Sequence, residues 1–182
     1  MGSRALLSDD KHEIESSDAL VVPGVGAFDD CVINIKKSGL DKSIINFIMS
    51  GRPFFGICLG YQVLFEGSEE GTERGLGILK GNVVKFRNAE KIPHMGWNTL
   101  ELPERGINCP LFKGVKNGDF FYFVHSYYVD PVDRESVSSW TEYGERFASS
   151  VFTDNIFACQ FHPEKSQDNG LKIIKNFIGT VK

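Results

Sequence analysis

The sequence predicts an α/β fold, in which a parallel sheet with helices on both faces is followed by a more antiparallel C-terminal half. Apolar runs at residues 20–22 and 53–57 are typical of buried parallel strands. Residues 28–49 between them have mostly helical spacing, with a break expected near residues 38–39. Because apolar strands alternate with a helical stretch, a doubly wound parallel sheet is favoured.

The remaining elements of the N-terminal half follow from short patterns. Residues 4–7 are predicted to form a short strand, and Ile44, Ile45 and Ile48 fall at helical spacing on a predicted core face. Residues 23–26 read Pro-Gly-Val-Gly, which is typical of a flexible loop because glycine allows unusual dihedral angles. From the residues alone, this loop is simply a connection between a strand and a helix.

The pattern becomes more antiparallel after residue 66. Residues 67–77 are polar and glycine-rich, which predicts a loop. Extended segments are expected at residues 81–86, 99–102, 120–129, 145–152 and 156–161. Residues 153–155, Thr-Asp-Asn, fit a hairpin turn between the last two segments. An amphipathic helix closes the chain, with its apolar side formed by Leu171, Ile173, Ile174, Phe177, Ile178 and Val181.

Composition narrows the class of protein. A chain of 182 residues with 41% hydrophobic and 24% charged residues fits one globular domain, residues 1–182. The net charge of −4 argues against nucleic acid or an anionic membrane as the main partner, and no apolar run approaches the roughly 20 residues of a membrane span. Four widely spaced cysteines without a Cys-x-x-Cys pair argue against a disulfide framework or a zinc site. We therefore expect a cytoplasmic protein without metal or cofactor.

The segment Gly56-x-Cys58-x-Gly60 lies between an apolar run and a helical pattern that starts at Tyr61. Small flanking residues suit a sharp strand-to-helix turn, which lifts the central residue out of the sheet as a nucleophile. At a helix N-terminus, the macrodipole is expected to favour the thiolate over the thiol. The alternative is a buried structural cysteine between two ordinary turn glycines.

A second segment offers the groups that such a nucleophile needs. Pro163 excludes a helix and favours an extended conformation for His162. Since residues two apart in an extended segment point the same way, Glu164 can lie beside His162. Cys58, His162 and Glu164 would then supply nucleophile, base and orienting acid. Alone, the His-Pro-Glu segment is better explained as a surface loop in which a histidine and a glutamate occur by chance.

Together these segments resemble the class I, triad-type glutamine amidotransferases, and more closely the glutaminase subunits of imidazole glycerol phosphate synthase. The elbow and the His-Pro-Glu segment are typical of the superfamily, and His94-Met95-Gly96-Trp97-Asn98 is typical of the subfamily. The matching stretches follow the order of the family, at residues 20–28, 56–66, 93–98, 122–127 and 160–166.

The resemblance implies a flavodoxin-like fold and the hydrolysis of L-glutamine to glutamate and ammonia. Cys58 would attack the amide, His162 would transfer protons and Glu164 would orient His162. The oxyanion hole would be formed by the backbone amides of Val25 and Leu59. The ammonia would pass to a synthase (cyclase) partner that makes imidazole glycerol phosphate in histidine biosynthesis.

The resemblance also implies two sets of contact residues. The substrate L-glutamine would be held by Gly26, Gln62, Glu66, His125, Ser126 and Tyr127. Gln62 and Glu66, four residues apart, are expected on one face of the elbow helix. The synthase subunit would contact His94, Met95, Trp97, Asn98, Tyr122 and Lys165.

One departure from the family pattern bears on the fold. The family normally starts with a further strand and helix before the position of Arg4, and that strand lies inside a flavodoxin-like sheet. The resemblance therefore implies an N-terminally truncated domain, an element supplied from elsewhere, or a start that differs from that of the family. A gap in the sheet would expose unpaired strand edges. Two alternatives stay open for the function: a glutaminase that supplies a surface-sugar amidotransferase, and a catalytically inactive scaffold subunit. A thiol hydrolase or peptidase of related fold would leave residues 94–98 unexplained.

Overall fold

The computed structural model describes residues 4–181. The helices are α1 (Lys11–Ser16), α2 (Phe28–Ser38), α3 (Leu40–Met49), α4 (Leu59–Gln62), α5 (Glu104–Ile107) and α6 (Gln167–Ile178). The strands are β1 (Leu20–Gly24), β2 (Phe54–Cys58), β3 (Gly67–Ser68), β4 (Gly81–Lys85), β5 (His94–Thr99), β6 (Phe120–His125), β7 (Tyr127–Pro131), β8 (Val137–Glu142), β9 (Arg146–Thr153) and β10 (Ile156–Cys159). Short 3₁₀ turns occupy Pro110–Phe112, Arg134–Ser136 and Pro163–Lys165.

The main sheet has eight strands, with the order β1-β2-β10-β9-β7-β4-β3 and with β8 paired to β9. β2 is parallel to both β1 and β10, whereas β9 runs antiparallel to β10. A separate two-stranded antiparallel ribbon is formed by β5 and β6. The prediction of a parallel half followed by a more antiparallel half is therefore confirmed.

Helices cover both faces of the parallel strands. On β2, Phe54 packs into one apolar cluster with residues of α2 and α3, and its neighbour Phe55 packs into a second cluster with residues of α6. Successive side chains of a strand point to opposite faces, so this alternation places β2 in the middle of the molecule. All five residues of β2 are buried, as a continuous apolar run predicts.

Most of the predicted helices and turns are confirmed. The break in residues 28–49 lies at Gly39, whose φ of 69° both ends α2 and starts α3. Ile44 and Ile48 are buried, while Ile45 is only half-buried and Phe47 takes its place in the core. The turn between β9 and β10 contains Asp154, whose φ of 48° fits a tight hairpin.

Three strand predictions are wrong in position. Residues 4–7 have no regular structure, and Leu7 is 98% exposed, because no described strand lies beside them to accept their hydrogen bonds. The strand predicted at residues 99–102 is β5, five residues earlier. The strand starts at His94 because its backbone pairs with β6 from His94 opposite His125 to Thr99 opposite Phe120. Residues 120–129 form two strands, since β6 pairs with β5 whereas β7 pairs with β4.

β8 and α1 were not predicted. β8 contains three consecutive serine and tryptophan positions after Val137 and lacks an apolar alternation, although most of it is buried. α1 is a short polar helix capped by the carboxylate of Asp10, which accepts hydrogen bonds from the amides of His12 and Glu13. In residues 4–181, no helix is long and apolar enough to cross a membrane.

Candidate active site

Cys58 ends β2 with a backbone conformation that residues other than glycine rarely adopt. Its φ is 53° and its ψ is −107°, and α4 begins at the next residue. This strained turn directs the side chain out of the strand at the carboxyl end of the sheet, where ligands bind in open α/β folds. The sharp strand-to-helix elbow predicted from the sequence is confirmed.

The glycines around Cys58 are required by close backbone contacts. A Cβ atom on Gly60 would lie 1.8 Å from the carbonyl oxygen of Val22, and one on Gly56 would lie 2.6 Å from the carbonyl oxygen of Gly60. A Cβ on Gly24 would lie 2.9 Å from the Cβ of Leu59. The elbow therefore packs its backbone directly against β1, which leaves no room for larger side chains.

The thiol of Cys58 is buried, and its pKa is raised to about 11, mainly by desolvation. Hydrogen bonds from the Leu59 amide and the Gln160 side chain lower this pKa, and Glu164 and Lys165 exert smaller opposite effects. The expectation that the helix N-terminus would favour the thiolate is wrong in its net direction. α4 has only four residues, so its dipole is small beside the cost of burying a charge.

The base predicted from the sequence lies at the end of the neighbouring strand. β10 pairs with β2 in parallel, with Cys159 opposite Ile57, so that His162 follows β10 at the same edge of the sheet as Cys58. The Nδ1–H of His162 donates to Oε1 of Glu164 at 2.8 Å. His162 Nε2 is buried and has no hydrogen-bond partner among the described residues. The ring therefore presents a free acceptor nitrogen in the buried site.

The backbone of His162 is fixed to β6. Its amide donates to the carbonyl of Tyr122 at 2.9 Å, and Ser166 Oγ donates to the His162 carbonyl at 2.7 Å. Ser166 Oγ also accepts the Tyr122 amide at 2.9 Å. These contacts join residues 162–166 to the β5–β6 ribbon.

The loop that carries the predicted oxyanion donor lies beside the elbow. Gly24 is paired with Cys58, so Val25 and Gly26 follow directly at the carboxyl edge. Val25 is 78% exposed and Gly26 has a φ of 104°. The loop ends at Phe28, whose amide donates to the carboxylate of Glu70 at 2.8 Å. This anchor from the segment after β3 was not foreseen from the sequence.

The predicted substrate residues do not all lie together. Gln62 is buried, and its Nε2 donates to the Tyr127 carbonyl at 3.1 Å and to Gln160 Oε1 at 2.9 Å. Glu66 does not share a helix face with Gln62, because α4 ends at Gln62 and the Glu66 carboxylate accepts the Gly81 amide at 3.0 Å. The prediction that Gln62 and Glu66 share a helix face is therefore wrong, and the substrate role of Glu66 stays a prediction.

The other three substrate candidates lie around the end of β6. His125 is its last residue and is buried. The half-buried Ser126 connects it to Tyr127, which is half-buried and is the first residue of β7. His125 Nδ1 donates to the Tyr127 carbonyl at 2.8 Å. The backbone here thus bends from the ribbon into the main sheet beside Gln62.

Three of the predicted partner residues, Met95, Trp97 and Lys165, are exposed on or beside the β5–β6 ribbon, and Tyr122 is half-buried next to Trp97 and Lys165. Met95 is 62% and Trp97 is 45% exposed, and the Trp97 and Tyr122 rings meet edge to face at 6.1 Å. Lys165 Nζ lies 5.8 Å from the centroid of the Tyr122 ring. His94 is only 2% exposed, so its side chain cannot contact a partner, and this prediction is wrong.

Asn98 is half-buried and turns its amide inward, where Nδ2 lies 3.3 Å from His94 Nε2. Gln160 also points at the site, although no role was predicted for it. Its side chain is fully buried, and its Nε2 lies 3.5 Å from Cys58 Sγ. The extended spacing of Gln160 and His162, two residues apart, is the signal that could have revealed it.

Comparison with known proteins agrees with this geometry. Residues 5–180 match the family described as glutamine amidotransferase class-I. The chain is similar to the imidazole glycerol phosphate synthase subunit HisH of Caldanaerobacter subterraneus subsp. tengcongensis, with 48% identity over 100% of this chain and 89% of the relative. The protein of the same name from Aquifex aeolicus is 50% identical over 94% of this chain and 82% of its own length.

Solved structures share the fold at low sequence identity. A crystal structure of a glutamine amidotransferase superposes with a TM-score of 0.72 and 20% identity, covering 99% of this chain and 87% of the other. PurLQS from Thermotoga maritima gives a TM-score of 0.69 at 19% identity, covering 91% of this chain and 80% of that chain. These likenesses establish the architecture.

Proposed function

Because this chain belongs to the class-I glutamine amidotransferase family, we propose how its own residues hydrolyse L-glutamine and where its partner binds. Its high identity to the HisH subunits identifies it as the glutaminase subunit of imidazole glycerol phosphate synthase, in histidine biosynthesis. It is an enzyme with a cysteine nucleophile. The roles below are our assignments for the described residues.

The observation that carries the mechanism is the state of His162. Its Nδ1–H is held by Glu164, so the buried Nε2 has its lone pair free to accept a proton. The pKa of Cys58 lies near 11, so the resting nucleophile is a neutral thiol. The proton of Cys58 therefore moves to His162 Nε2 as Sγ attacks the side-chain amide carbon of glutamine. The Glu164 carboxylate stabilises the imidazolium that forms.

The tetrahedral intermediate then collapses as His162 returns its proton to the amide nitrogen, which leaves as ammonia. Water attacks the resulting thioester, with His162 as base, and releases glutamate. The backbone amides of Leu59 and Val25 would stabilise the oxyanion in both steps. The Leu59 amide is already directed at the thiol, and Val25 follows the residue paired with Cys58.

Substrate contacts would come from Gly26, Gln62 and residues 125–127. The amide nitrogen of Gln62 is engaged with Tyr127 and Gln160, so its Oε1 is the atom available to accept from the ligand. Ser126 lies at the bend between β6 and β7, and we assign a ligand contact to the backbone of this bend. The glutamine would thus be recognised mainly by main-chain groups.

The chain is a subunit of a synthase complex, and we place the cyclase partner on the exposed ribbon face. Met95, Trp97, Tyr122 and Lys165 supply an aromatic and cationic surface. Aromatic residues are enriched at the centres of protein interfaces. Tyr122 is also hydrogen-bonded to the backbone of His162, so this face adjoins the triad. Ammonia released at Cys58 would pass to the partner.

The test is glutamate release from glutamine, measured with and without the purified cyclase subunit and its acceptor substrate. We expect slow hydrolysis by the free chain and faster hydrolysis in the complex. A chain without glutaminase activity in either state would contradict the assignment. Full activity of the isolated chain, unchanged by the cyclase, would contradict the docking proposal and leave the hydrolytic mechanism standing.

A further inference from the structure

A continuous chain of hydrogen bonds crosses the core from the β5–β6 ribbon to the nucleophile. Asn98 Nδ2 lies 3.3 Å from His94 Nε2, and His94 Nδ1 lies 3.0 Å from His125 Nε2. His125 Nδ1 lies 2.8 Å from the Tyr127 carbonyl. The first part of the chain therefore connects the partner-facing strand β5 to the start of β7.

The second part starts from the same carbonyl. Gln62 Nε2 donates to the Tyr127 carbonyl at 3.1 Å and to Gln160 Oε1 at 2.9 Å. Gln160 Nε2 then donates to Cys58 Sγ at 3.5 Å. The two protons of the Gln62 amide are thus both used, and the orientation of the Gln160 amide follows from its partner.

The tautomers are fixed by the ends of the chain. Asn98 Oδ1 accepts from the Thr99 amide, so the group that faces His94 is Nδ2, which can only donate. His94 Nε2 therefore accepts, and His94 Nδ1 carries the proton. His125 Nε2 must then accept, and its Nδ1–H donates to the Tyr127 carbonyl, which can only accept. Every link is satisfied when both rings are neutral with the proton on Nδ1. The low pKa values of the two rings, about 4 for His94 and about 3 for His125, agree with this.

Because the hydrogen-bond chain is buried, a missing hydrogen bond at any of its residues would destabilise the fold. The side chains of His94, His125, Gln62 and Gln160 are between 0% and 7% exposed. His94 stacks between Phe123 and Tyr143, with ring centroids at 4.8 and 3.9 Å. A buried polar group without its partner is destabilising, so the loss of one link affects the next.

We propose that Asn98, His94, His125, Gln62 and Gln160 are positioning residues, which hold the thiol of Cys58 through one hydrogen-bond chain that starts on the ribbon. This inference rests on the proposed glutaminase mechanism for its catalytic meaning. Gln160 acts directly on Sγ, and the two histidines act by holding the Tyr127 carbonyl and, through it, Gln62. A shift of β5 would therefore change the hydrogen bond that Gln160 donates to the thiol of Cys58.

The first test measures the tautomers in the unmodified protein. Nitrogen-15 NMR of the imidazole rings at neutral pH should show the proton on Nδ1 for both His94 and His125. This tautomer is the less common one in free imidazole side chains, so the result is diagnostic. A proton on Nε2, or a charged ring, at either residue would break the chain and overturn the proposal.

The second test measures the reactivity of the thiol without glutamine. The rate of Cys58 alkylation by iodoacetamide is followed against pH by mass spectrometry of the Cys58 peptide. The Gln160→Met variant keeps the volume and loses the donor, so the profile should move to higher pH and the rate at pH 9 should fall about three- to tenfold. Glu164 and Lys165, the charged groups that act on this thiol, stay unchanged.

The third test measures coupling along the chain. His94→Phe keeps a ring between its aromatic neighbours and removes both nitrogens. Its effect on alkylation should be smaller, about twofold, and the double variant with Gln160→Met should be less than multiplicative. Thr141→Val is the control, since it removes one buried hydrogen bond to Thr99 on β5 outside the chain. Fully multiplicative effects, or an equal effect of Thr141→Val, would overturn the proposal.

Measurements of kcat and KM for glutamine distinguish a failure of the hydrogen-bond chain from a failure of the proposed glutaminase mechanism. In the complex with the cyclase, Gln160→Met should lower kcat for glutamine with little change in KM, because Gln160 contacts the nucleophile. If the unmodified complex hydrolyses no glutamine, the proposed function fails, but the tautomers and the alkylation profiles still decide the chain. A rise in KM at constant kcat would place Gln160 with the substrate and contradict a positioning role.

Discussion

At the scale of single residues, the site combines a nucleophile in a strained backbone conformation with a buried imidazole nitrogen that receives no hydrogen bond. Cys58 is held at a φ of 53°, and His162 Nε2 is buried without a partner. Both features reduce the stability of the folded state, and the surrounding backbone contacts hold them in place. The cost is expected where a substrate completes the missing interactions.

The nucleophile is tested by replacing Cys58 with alanine. We expect loss of glutamine hydrolysis with an unchanged fold, because the thiol carries the covalent step and alanine fits the space. Glutamate release and the circular dichroism spectrum measure the two effects. The other cysteines are the internal control: labelling of Cys31, Cys109 or Cys159 by a glutamine-site alkylator would show that the nucleophile lies elsewhere.

The acid and the base differ in their expected importance. Glu164→Gln should reduce turnover less than His162→Ala does, and the two kcat values should differ by roughly tenfold or more. In other triads, too, removal of the acid reduces kcat less than removal of the base. The Glu164 side chain is 51% exposed, so water can partly replace its carboxylate. The two variants are compared by kcat in the same complex. The reverse order of severity would mean that the two roles are exchanged.

At the scale of elements, the elbow depends on the contact between α4 and β1. Gly60→Ala should destabilise the fold by roughly 3 kcal/mol or more, because its Cβ would meet the Val22 carbonyl. Gly67→Ala is the matched control, since its Cβ would have an ordinary contact at 3.5 Å with Asn82. Urea unfolding measures both, and equal midpoints would show that the elbow can relax.

The β5–β6 ribbon should make stability depend on pH. Both buried histidines have folded pKa values below the usual 6.5, so the unfolded chain binds more protons between about pH 4 and 6.5. The free energy of unfolding is therefore fully present above pH 6.5 and is lost as pH falls. We expect a decrease in Tm of roughly 5 °C or more between pH 7 and 5.

The control for this dependence is His94→Phe, which removes one titrating ring and should flatten the curve of Tm against pH. Other groups also titrate in this range, so the difference between the two curves is the quantity of interest. Parallel curves for the two proteins would mean that folding does not change the pKa of His94, which would contradict the lowered pKa of this ring.

The sequence was sufficient for local elements with strong signals. The elbow glycines, the break at Gly39 and the His-Pro-Glu segment each follow from steric rules that act within a few residues. The sequence was insufficient for properties that depend on contacts between residues far apart in the chain. The pKa of Cys58 depends on burial by the whole sheet, and the positions of Gln160 and His94 depend on partners from other strands.

At the scale of the whole molecule, one face connects the site to its surroundings. The exposed Trp97 and Lys165 flank Tyr122, whose backbone holds the loop of His162. Binding of another subunit on this face would therefore change the freedom of the base. Such coupling is useful in an enzyme whose product would otherwise be released without an acceptor.

This coupling is tested with Lys165→Ala. We expect the variant to weaken the stimulation of glutaminase activity by the cyclase more than it changes basal hydrolysis, because the ammonium group lies on the exposed face. Titration of the cyclase into the assay gives both quantities. Lys42→Ala is the control, since Lys42 is an exposed lysine on α3, which packs on the face of β2 opposite to α6. An equal loss for both variants would remove Lys165 from the docking surface.

The position of β10 also sets the time at which the enzyme can first work. β10 lies between β2 and β9, although it follows the other nine strands in the sequence of residues 4–181. Gln160 and Cys58 are 102 residues apart. At roughly 5–20 residues per second, the elbow leaves the ribosome several seconds before its base. Long-range pairing of this kind is slow to form. The nascent chain therefore carries a cysteine without a base, and it cannot hydrolyse glutamine until the segment that contains His162 and Glu164 has been synthesised.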